Sequence, residues 1–399
     1  MKFQRWKMRT FWIIAVFSLV ILSMAYHVVN NYVFVLSTTR YRLIENSNFV
    51  TNKNSSKIHV LYWTKMFGAE TWHMPSVTNG EDYFKSINCP VTNCVLTHDK
   101  HLLDAPHLYD ALIFHSAEPW LSALPETRSP HQYYIMTSLE APPELKHNLQ
   151  LDANYFNLTM TYRLDSDILW SYGKVIDKRT SKVLAPDHNV EWRNPESVED
   201  KDIHSLVLKK TKAAAWFVSH CTTHSKRENL VNEIEKFIDV DIYGSCGPLE
   251  CPRNSDFCDV MINTTYYFYF SFENGICNDY VTEKFYKMMN LNVVPVIFNG
   301  VENMNKFAPP KSYIDANEFT DAEKLATYLK YLIDNPKEYM NYFWWKKYYD
   351  VVIPADKYAH CSICKKLNEM INEDRGQYYI NISKWFYKNS CKKPKIKFE

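Results

Sequence analysis

Residues 268–298 read FYFSFENGICNDYVTEKFYKMMNLNVVPVIF. The aromatic run Tyr266–Phe272 predicts a buried strand, ended by Glu273-Asn274-Gly275. A polar turn carrying Cys277 and Asp279 follows, and Tyr280–Asn290 has helical spacing. Val293–Phe298 is a second apolar run, closed by Asn299-Gly300. Strand, polar loop, helix and strand make a βαβ unit. Its polar groups crowd where the first strand ends and the helix begins, the place where open α/β sheets bind ligands. Glu283 and Lys284 are adjacent at that helix start, where a lysine and the helix dipole both suit an anion.

The pattern extends in both directions. Lys212–Ser219 predicts a strand ending in a polar turn. Arg227–Ile238 predicts a helix with Leu230, Ile234 and Phe237 on one face. Val240–Gly244 predicts a strand and Ala322–Ile333 a helix. Upstream, Ile58–Trp63, Ala111–Phe114 and Tyr133–Met136 predict strands joined by loop-rich segments. The charged, turn-prone run Arg193–Asp200 reads as a linker. The expectation is therefore two α/β domains, at 57–200 and 201–360, followed by a cysteine-containing extension at 361–399. There is no internal repeat.

The chain has 399 residues, 46% of them apolar, enough for two domains of ordinary size. A net charge of +1 provides no global basic field, which argues against nucleic acid as a partner. Residues 11–29, FWIIAVFSLVILSMAYHVV, carry no charge, and Lys2, Arg5, Lys7 and Arg9 precede them. As a helix they would span about 28 Å, enough to cross a bilayer core. The basic flank places residues 1–10 in the cytosol and everything beyond the anchor in a lumen. A cleaved signal peptide, the competing reading, would have a shorter apolar core and a small-residue cleavage site. Residues 30–56 read as a polar stem.

Ten cysteines and four sequons, at Asn54, Asn157, Asn263 and Asn381, agree with a lumenal location. Cys361-x-x-Cys364 has the spacing of half a zinc site or a redox pair, but no second such pair exists. Structural disulfides are the preferred reading, with connectivity unreadable from the sequence. His98 and His101 have helical ligand spacing without a third ligand, and are taken as surface residues.

The opening stretch resembles the signature of the α1,3/α1,4-fucosyltransferases, glycosyltransferase family 10. The matching elements are Phe272-Glu273-Asn274, Cys277, Asp279-Tyr280, Val281-Thr282-Glu283-Lys284 and Val294-Pro295-Val296. Asn292 stands where the family has glycine, and asparagine is the next-best residue at positive φ. The resemblance covers roughly residues 58–365. It implies a GT-B-like fold, two doubly wound Rossmann-like domains facing a cleft. It also implies a type II Golgi membrane enzyme that transfers fucose from GDP-fucose to glycoprotein N-glycans with inversion.

Such a transfer needs a base for the acceptor hydroxyl and positive charge for the leaving diphosphate. Thr137-Ser138-Leu139-Glu140-Ala141-Pro142-Pro143 is similar to the family motif whose glutamate is the general base, so Glu140 is the candidate. The competing reading is an ordinary surface glutamate. Val218-Ser219-His220 and Arg227 match a segment whose arginine contacts the nucleotide phosphates, with His220 replacing an asparagine. Arg227 and Lys284 are then the diphosphate cations, a planar fork and a point charge. The resemblance implies that Ser219, Tyr280, Glu283, Glu273 and Asn274 also belong to the donor site. A loop-structuring role for Glu273 and Asn274 is equally open.

Tyr162-Arg163-Leu164-Asp165-Ser166-Asp167 and Tyr172-Gly173 match a further family run. Asp165-Ser166-Asp167 mimics a metal-binding DxD. The preferred expectation is no obligatory metal, with Arg163 pairing to one of the acids and stimulation by Mn or Mg left open. The loop Cys246-Gly247-Pro248-Leu249-Glu250-Cys251-Pro252-Arg253 looks like that of the core-type enzymes, which favours the innermost N-acetylglucosamine as acceptor. A Lewis-type enzyme acting on N-acetyllactosamine antennae and a catalytically inactive glycan-binding relative are the alternatives.

Overall fold

The computed structural model describes residues 42–43, 57–69, 72, 80–117, 124–145, 154–252, 255–372, 378–388 and 390–398. The expected anchor at 11–29, most of the stem and Asn54 lie outside these residues. Among the described residues no helix is long and apolar enough to cross a membrane.

Two all-parallel sheets dominate. The first has six strands in the order Cys94–Thr97, Ile58–Tyr62, Ala111–His115, Tyr133–Ser138, Leu158–Thr161, Ile168–Leu169. The second has five: Val240–Tyr243, Lys212–Phe217, Tyr266–Phe272, Val294–Phe298, Ile314–Asp315. The two strands expected from the opening stretch are neighbours, with Phe268 opposite Val294 and Phe272 opposite Phe298. Strands buried on both faces read as continuous apolar runs, which is why they were visible in the sequence.

Side-chain alternation sorts the second sheet's two faces. Trp216, Phe268, Phe270, Val294 and Val296 pack beneath the helices Arg227–Ile234 and Ala322–Asp334. Ala215 and Tyr269 pack on the other side, against Ile262 and Met288 of the helices Asp256–Thr265 and Glu283–Met289. The first of the four ends at Ile234, earlier than its apolar spacing suggests. Phe237 N–H bonds Ile234 O at 2.9 Å, an i→i+3 closure that tightens the chain out of the helix.

The first sheet is closed by residues from the far end of the chain. Ala359, Ile363 and Leu367 of the helix Asp356–Asn372 pack on one face with Val60, Ile113 and Ile135. Ile382 and Phe386 of Ile382–Tyr387 pack on the other with Leu61, Phe114 and Met136. The expected boundary at 360 therefore falls inside a helix, and the C-terminal extension is core to the first sheet. Cys89–Cys361 and Cys94–Cys364 fasten that helix to the sheet, so the two cysteines of the Cys-x-x-Cys reach separate partners. The remaining disulfides are Cys221–Cys246, Cys251–Cys258 and Cys277–Cys391. An antiparallel sheet of Val183–Ala185, Lys174–Asp177 and Tyr349–Val352, unforeseen in the sequence, adds a further connection between the chain's two halves.

Three expectations change. Asn157 is only 3% exposed, and its Oδ1 accepts from the Arg128 guanidinium and from Tyr134 N. The folded chain has no room for a glycan there, whereas Asn381 is exposed at a helix cap. Asn292 is not in the positive-φ region; its N–H bonds Asn263 Oδ1 at 2.7 Å, and the left-handed residue of this unit is Asp279, φ 59°. His98 is not a free surface residue: its ring stacks on Tyr62 at 4.5 Å.

Candidate active site

The strands Tyr133–Ser138 and Tyr266–Phe272 end facing one another. A Cβ placed on Gly275 would lie 3.0 Å from Ala141 Cβ, and Ala141, Tyr162, Cys277 and Tyr280 share one small core. Just before Ala141, Glu140 carries the first sheet's carboxylate to this junction. Its Oε2 accepts from the Tyr280 hydroxyl at 3.5 Å. Burial raises the Glu140 pKa; Lys284 opposes the shift, while Glu283 and Glu144 add to it.

The second sheet supplies a compact ionic cluster. Glu273, 1% exposed, accepts from Thr282 N at 2.8 Å and from Thr282 Oγ1 at 2.9 Å, and lies 3.6 Å from Lys284 Nζ. Thr282 in turn caps the helix Glu283–Met289. Lys284 Nζ reaches Glu283 at 3.0 Å and Thr282 Oγ1 at 3.1 Å. Burial pulls the Lys284 pKa down, but Glu273 and Glu283 outweigh it and hold the ammonium above its ordinary range. Arg227 is buried and donates to Phe272 O at 2.7 Å and His220 O at 3.3 Å. Its Nε, and Asn274 Oδ1, are buried with no hydrogen-bond partner among the described residues.

The sequence candidates thus fall into two groups. Glu140, Arg227, Glu283 and Asn274 keep polar groups at the junction with capacity to spare, and Lys284, whose ammonium is directed at Glu273, Glu283 and Thr282, keeps a side chain 26% exposed. Glu273 and Tyr280 are engaged with the protein itself, which for Glu273 favours the loop-structuring role. Both Glu273 oxygens are taken by Thr282, and Tyr280 is a buried ring packed on Tyr162 at 4.8 Å whose hydroxyl faces Glu140. Ser219 is exposed, beside the turn where Gly244 adopts φ 96° against Val218 O. His220 Nδ1 lies 3.4 Å from Glu144 Oε2, one more tie between the halves.

Asp165 and Asp167 are occupied structurally. Arg163 holds Asp165 through Nε at 2.8 Å and a second nitrogen at 2.6 Å. Asp167 accepts from Thr159 N, Thr159 Oγ1 and the Tyr379 hydroxyl. Among the described residues no three His, Cys, Asp or Glu side chains gather to hold a metal.

The supporting residues were harder to foresee. The Tyr172 hydroxyl donates to Leu139 O at 2.5 Å, fixing the residue before Glu140. Gly173 lies flat on Tyr286, where a Cβ would come within 2.4 Å of the ring. Asp279 Oδ2 accepts from Leu164 N at 3.1 Å. Cys277–Cys391, with Asn278 N to Ser390 O at 2.7 Å and Lys392 N to Ile276 O at 2.8 Å, ties the donor-side loop to the C-terminal segment. Tyr172-Gly173 and Asp279 carry the family run, so a signal existed for them; the Ser390–Lys392 strap had none.

A junction that sets the half-buried Glu140 carboxylate against two cations is suited to taking a proton on one side and holding a leaving anion on the other. Comparison with known proteins agrees. Residues 207–385 match the model of the glycosyltransferase family 10 (fucosyltransferase) C-terminal region, and 55–173 match that of the fucosyltransferase N-terminal region. Alpha-(1,3)-fucosyltransferase C of Drosophila melanogaster is 41% identical over 337 residues, covering 84% of this chain and 78% of that protein. Glycoprotein 3-alpha-L-fucosyltransferase A of the same species is 30% identical over 85% of this chain and 62% of its own. The 4-galactosyl-N-acetylglucosaminide 3-alpha-L-fucosyltransferase 9 of Mus musculus is 29% identical over 90% of each. The chain belongs to the fucosyltransferases of glycosyltransferase family 10.

Proposed function

We propose that the chain transfers L-fucose from GDP-fucose, with inversion, to O3 of N-acetylglucosamine in glycoprotein N-glycans. The observation that carries this reading is Glu140 of one parallel sheet held near Lys284 of the other, with Arg227 beside the same Tyr280, Glu273 and Glu144. Two such sheets meeting at their C-terminal edges are what a GT-B arrangement requires. In the reaction the acceptor oxygen attacks fucose C1 from the face opposite the diphosphate. Glu140 takes the hydroxyl proton as the C1–O bond forms. The bond from C1 to the β-phosphate oxygen breaks, and GDP leaves with the electron pair. Arg227 and Lys284 stabilise that growing charge. Arg227 has five N–H groups and donates two to the named carbonyls, so donors remain for phosphate.

Two measurements test the chemistry. If the two cations do the work of a metal, turnover persists in EDTA, with at most modest stimulation by Mn or Mg. Complete, metal-reversible loss would show that a cation is obligatory. The second concerns Tyr280, whose hydroxyl lowers the Glu140 pKa against the upward push of burial. A base must be ionised, so activity falls as pH drops through its pKa. Tyr280→Phe is expected to move the acid limb of kcat/KM to higher pH. An unmoved limb would mean that Tyr280 does not tune the base.

The core N-acetylglucosamine is the favoured acceptor, on the resemblance of the 246–253 loop. That loop is braced by Cys221–Cys246 and Cys251–Cys258, which lowers the entropy cost of holding an extended glycan. Incubation with core glycopeptides and with N-acetyllactosamine, read by product mass and linkage, decides the acceptor. Transfer to antennae alone would discard the core reading; no transfer to either would favour an inactive glycan-binding relative. The charge-free run at 11–29 and five disulfides support a single-pass Golgi membrane protein with this region in the lumen.

A further inference from the structure

The helix Asp356–Asn372, which closes the first sheet, and the small antiparallel sheet leave a cleft of about 240 Å³ between them. Tyr358, Cys361, Ser362 and Lys365 line it from the helix, at the i, i+3, i+4, i+7 spacing that shares one face. Lys174 and Val183, on paired strands of the small sheet, line it opposite, and Pro90 completes the wall. Cys89–Cys361 ties the residue before Pro90 to the helix face, so these walls are covalently joined. None of the lining residues belongs to the junction of Glu140 with Lys284.

Lys174 is the unusual member. It is only 8% exposed. Alternation along Lys174–Asp177 sends Val175 into the core beside Tyr286 and Trp344, and Lys174 to the other face. Among the described residues its ammonium makes no hydrogen bond and no ion pair. Burial lowers its pKa to about 8 against the pull of Asp187, so the group is still mainly charged at pH 7. Buried charges are normally paired or hydrogen-bonded. Lys210 and Lys346, whose pKa values burial also lowers, follow that rule. Lys210 Nζ donates to Asn263 O and Tyr266 O, both at 2.7 Å, and Lys346 Nζ to Leu291 O at 2.8 Å. Lys174 has no such carbonyl.

The rest of the cleft supplies what an anion needs. Lys365 is a second cation, held only loosely by Glu369 at 3.9 Å. Ser362 Oγ spends its proton on Tyr358 O at 2.8 Å, which leaves its oxygen to accept from a hydroxyl. Tyr358, Val183 and Pro90 add apolar wall. The volume equals that of about eight waters at ~30 Å³ each, more than a bare ion needs.

We propose that this cleft binds a small oxyanion of the sulfate or phosphate kind, free or carried on a sugar, between Lys174 and Lys365. The anion supplies the counter-charge that the fold denies Lys174.

The test is direct binding to the full chain saturated with GDP, so that Arg227 and Lys284 are already engaged. The probes are inorganic sulfate, inorganic phosphate and glucose 6-sulfate at constant ionic strength. The parent chain is expected to bind one anion. Lys174→Met weakens binding about tenfold or more, the worth of a hydrogen bond to a charged group. Lys365→Gln, a change on an exposed side chain, weakens it severalfold and keeps the test readable should Lys174→Met fold poorly. Lys330→Gln, on the exposed side of the helix Ala322–Asp334, leaves it unchanged. Tighter binding of glucose 6-sulfate than of sulfate identifies a sugar-borne group, and equal binding the free ion. No saturable binding, or equal binding by the parent and both cleft variants, would overturn the proposal.

Discussion

Glu140→Gln is expected to bind GDP as the parent chain does and to lose ~10²–10⁴ of turnover, the usual worth of a general base. The amide keeps the side chain's size and an oxygen for the Tyr280 hydroxyl, the contact seen at 3.5 Å. It cannot take a proton. The surrounding loop is held by other means, through Tyr172 to Leu139 O and Ser138 Oγ to Glu140 O. The melting temperature should therefore barely move. Turnover measured with saturating donor, beside GDP titration, separates the alternatives. Near-parental turnover would remove Glu140 from the chemistry. Lost GDP affinity would place its carboxylate in the donor site instead.

The second sheet was legible because physics writes it into short windows. A strand buried on both faces must be a continuous apolar run, and Tyr266–Phe272 and Val294–Phe298 are such runs. Helix starts were less sharp. Tyr280–Thr282 has helical spacing, yet the helix begins at Glu283, because Asp279 takes a left-handed turn and Thr282 caps the helix with an extended backbone. What the sequence hid is long-range. The closure of the first sheet by Asp356–Asn372, and the pairing of Cys89 with Cys361, join positions 272 apart, and no local pattern encodes such partners. The site divides the same way. Residue types and the family run pointed to Glu140, Arg227 and Lys284. Whether Glu273 touches a ligand or braces the loop depends on which donors surround it, and those come from nine residues further on.

Glu273→Ala is expected to destabilise the chain before it affects chemistry. Removing the carboxylate strips Thr282 N, Thr282 Oγ1 and Lys284 Nζ of a shared acceptor in a site where Glu273 is 1% exposed. Breaking a buried pair by deleting one partner costs about 3–5 kcal/mol. The Lys284 side chain is 26% exposed, so water screens part of the loss and the lower end applies. That corresponds to a fall of roughly 5–10 °C in melting temperature. Glu273→Gln behaves differently. Burial raises the Glu273 pKa against the attraction of Lys284, so the neutral amide sheds the desolvation cost of the charge, while Lys284 keeps Glu283 at 3.0 Å as its partner. The glutamine keeps one oxygen for Thr282 N, and its melting temperature should stay within a few degrees, roughly, of the parent. A direct donor contact predicts another pattern: both variants would raise the KM for GDP-fucose alike, with melting unaffected. Thermal scans without ligand, set beside donor KM for the two variants, decide whether Glu273 braces the site or binds the nucleotide sugar.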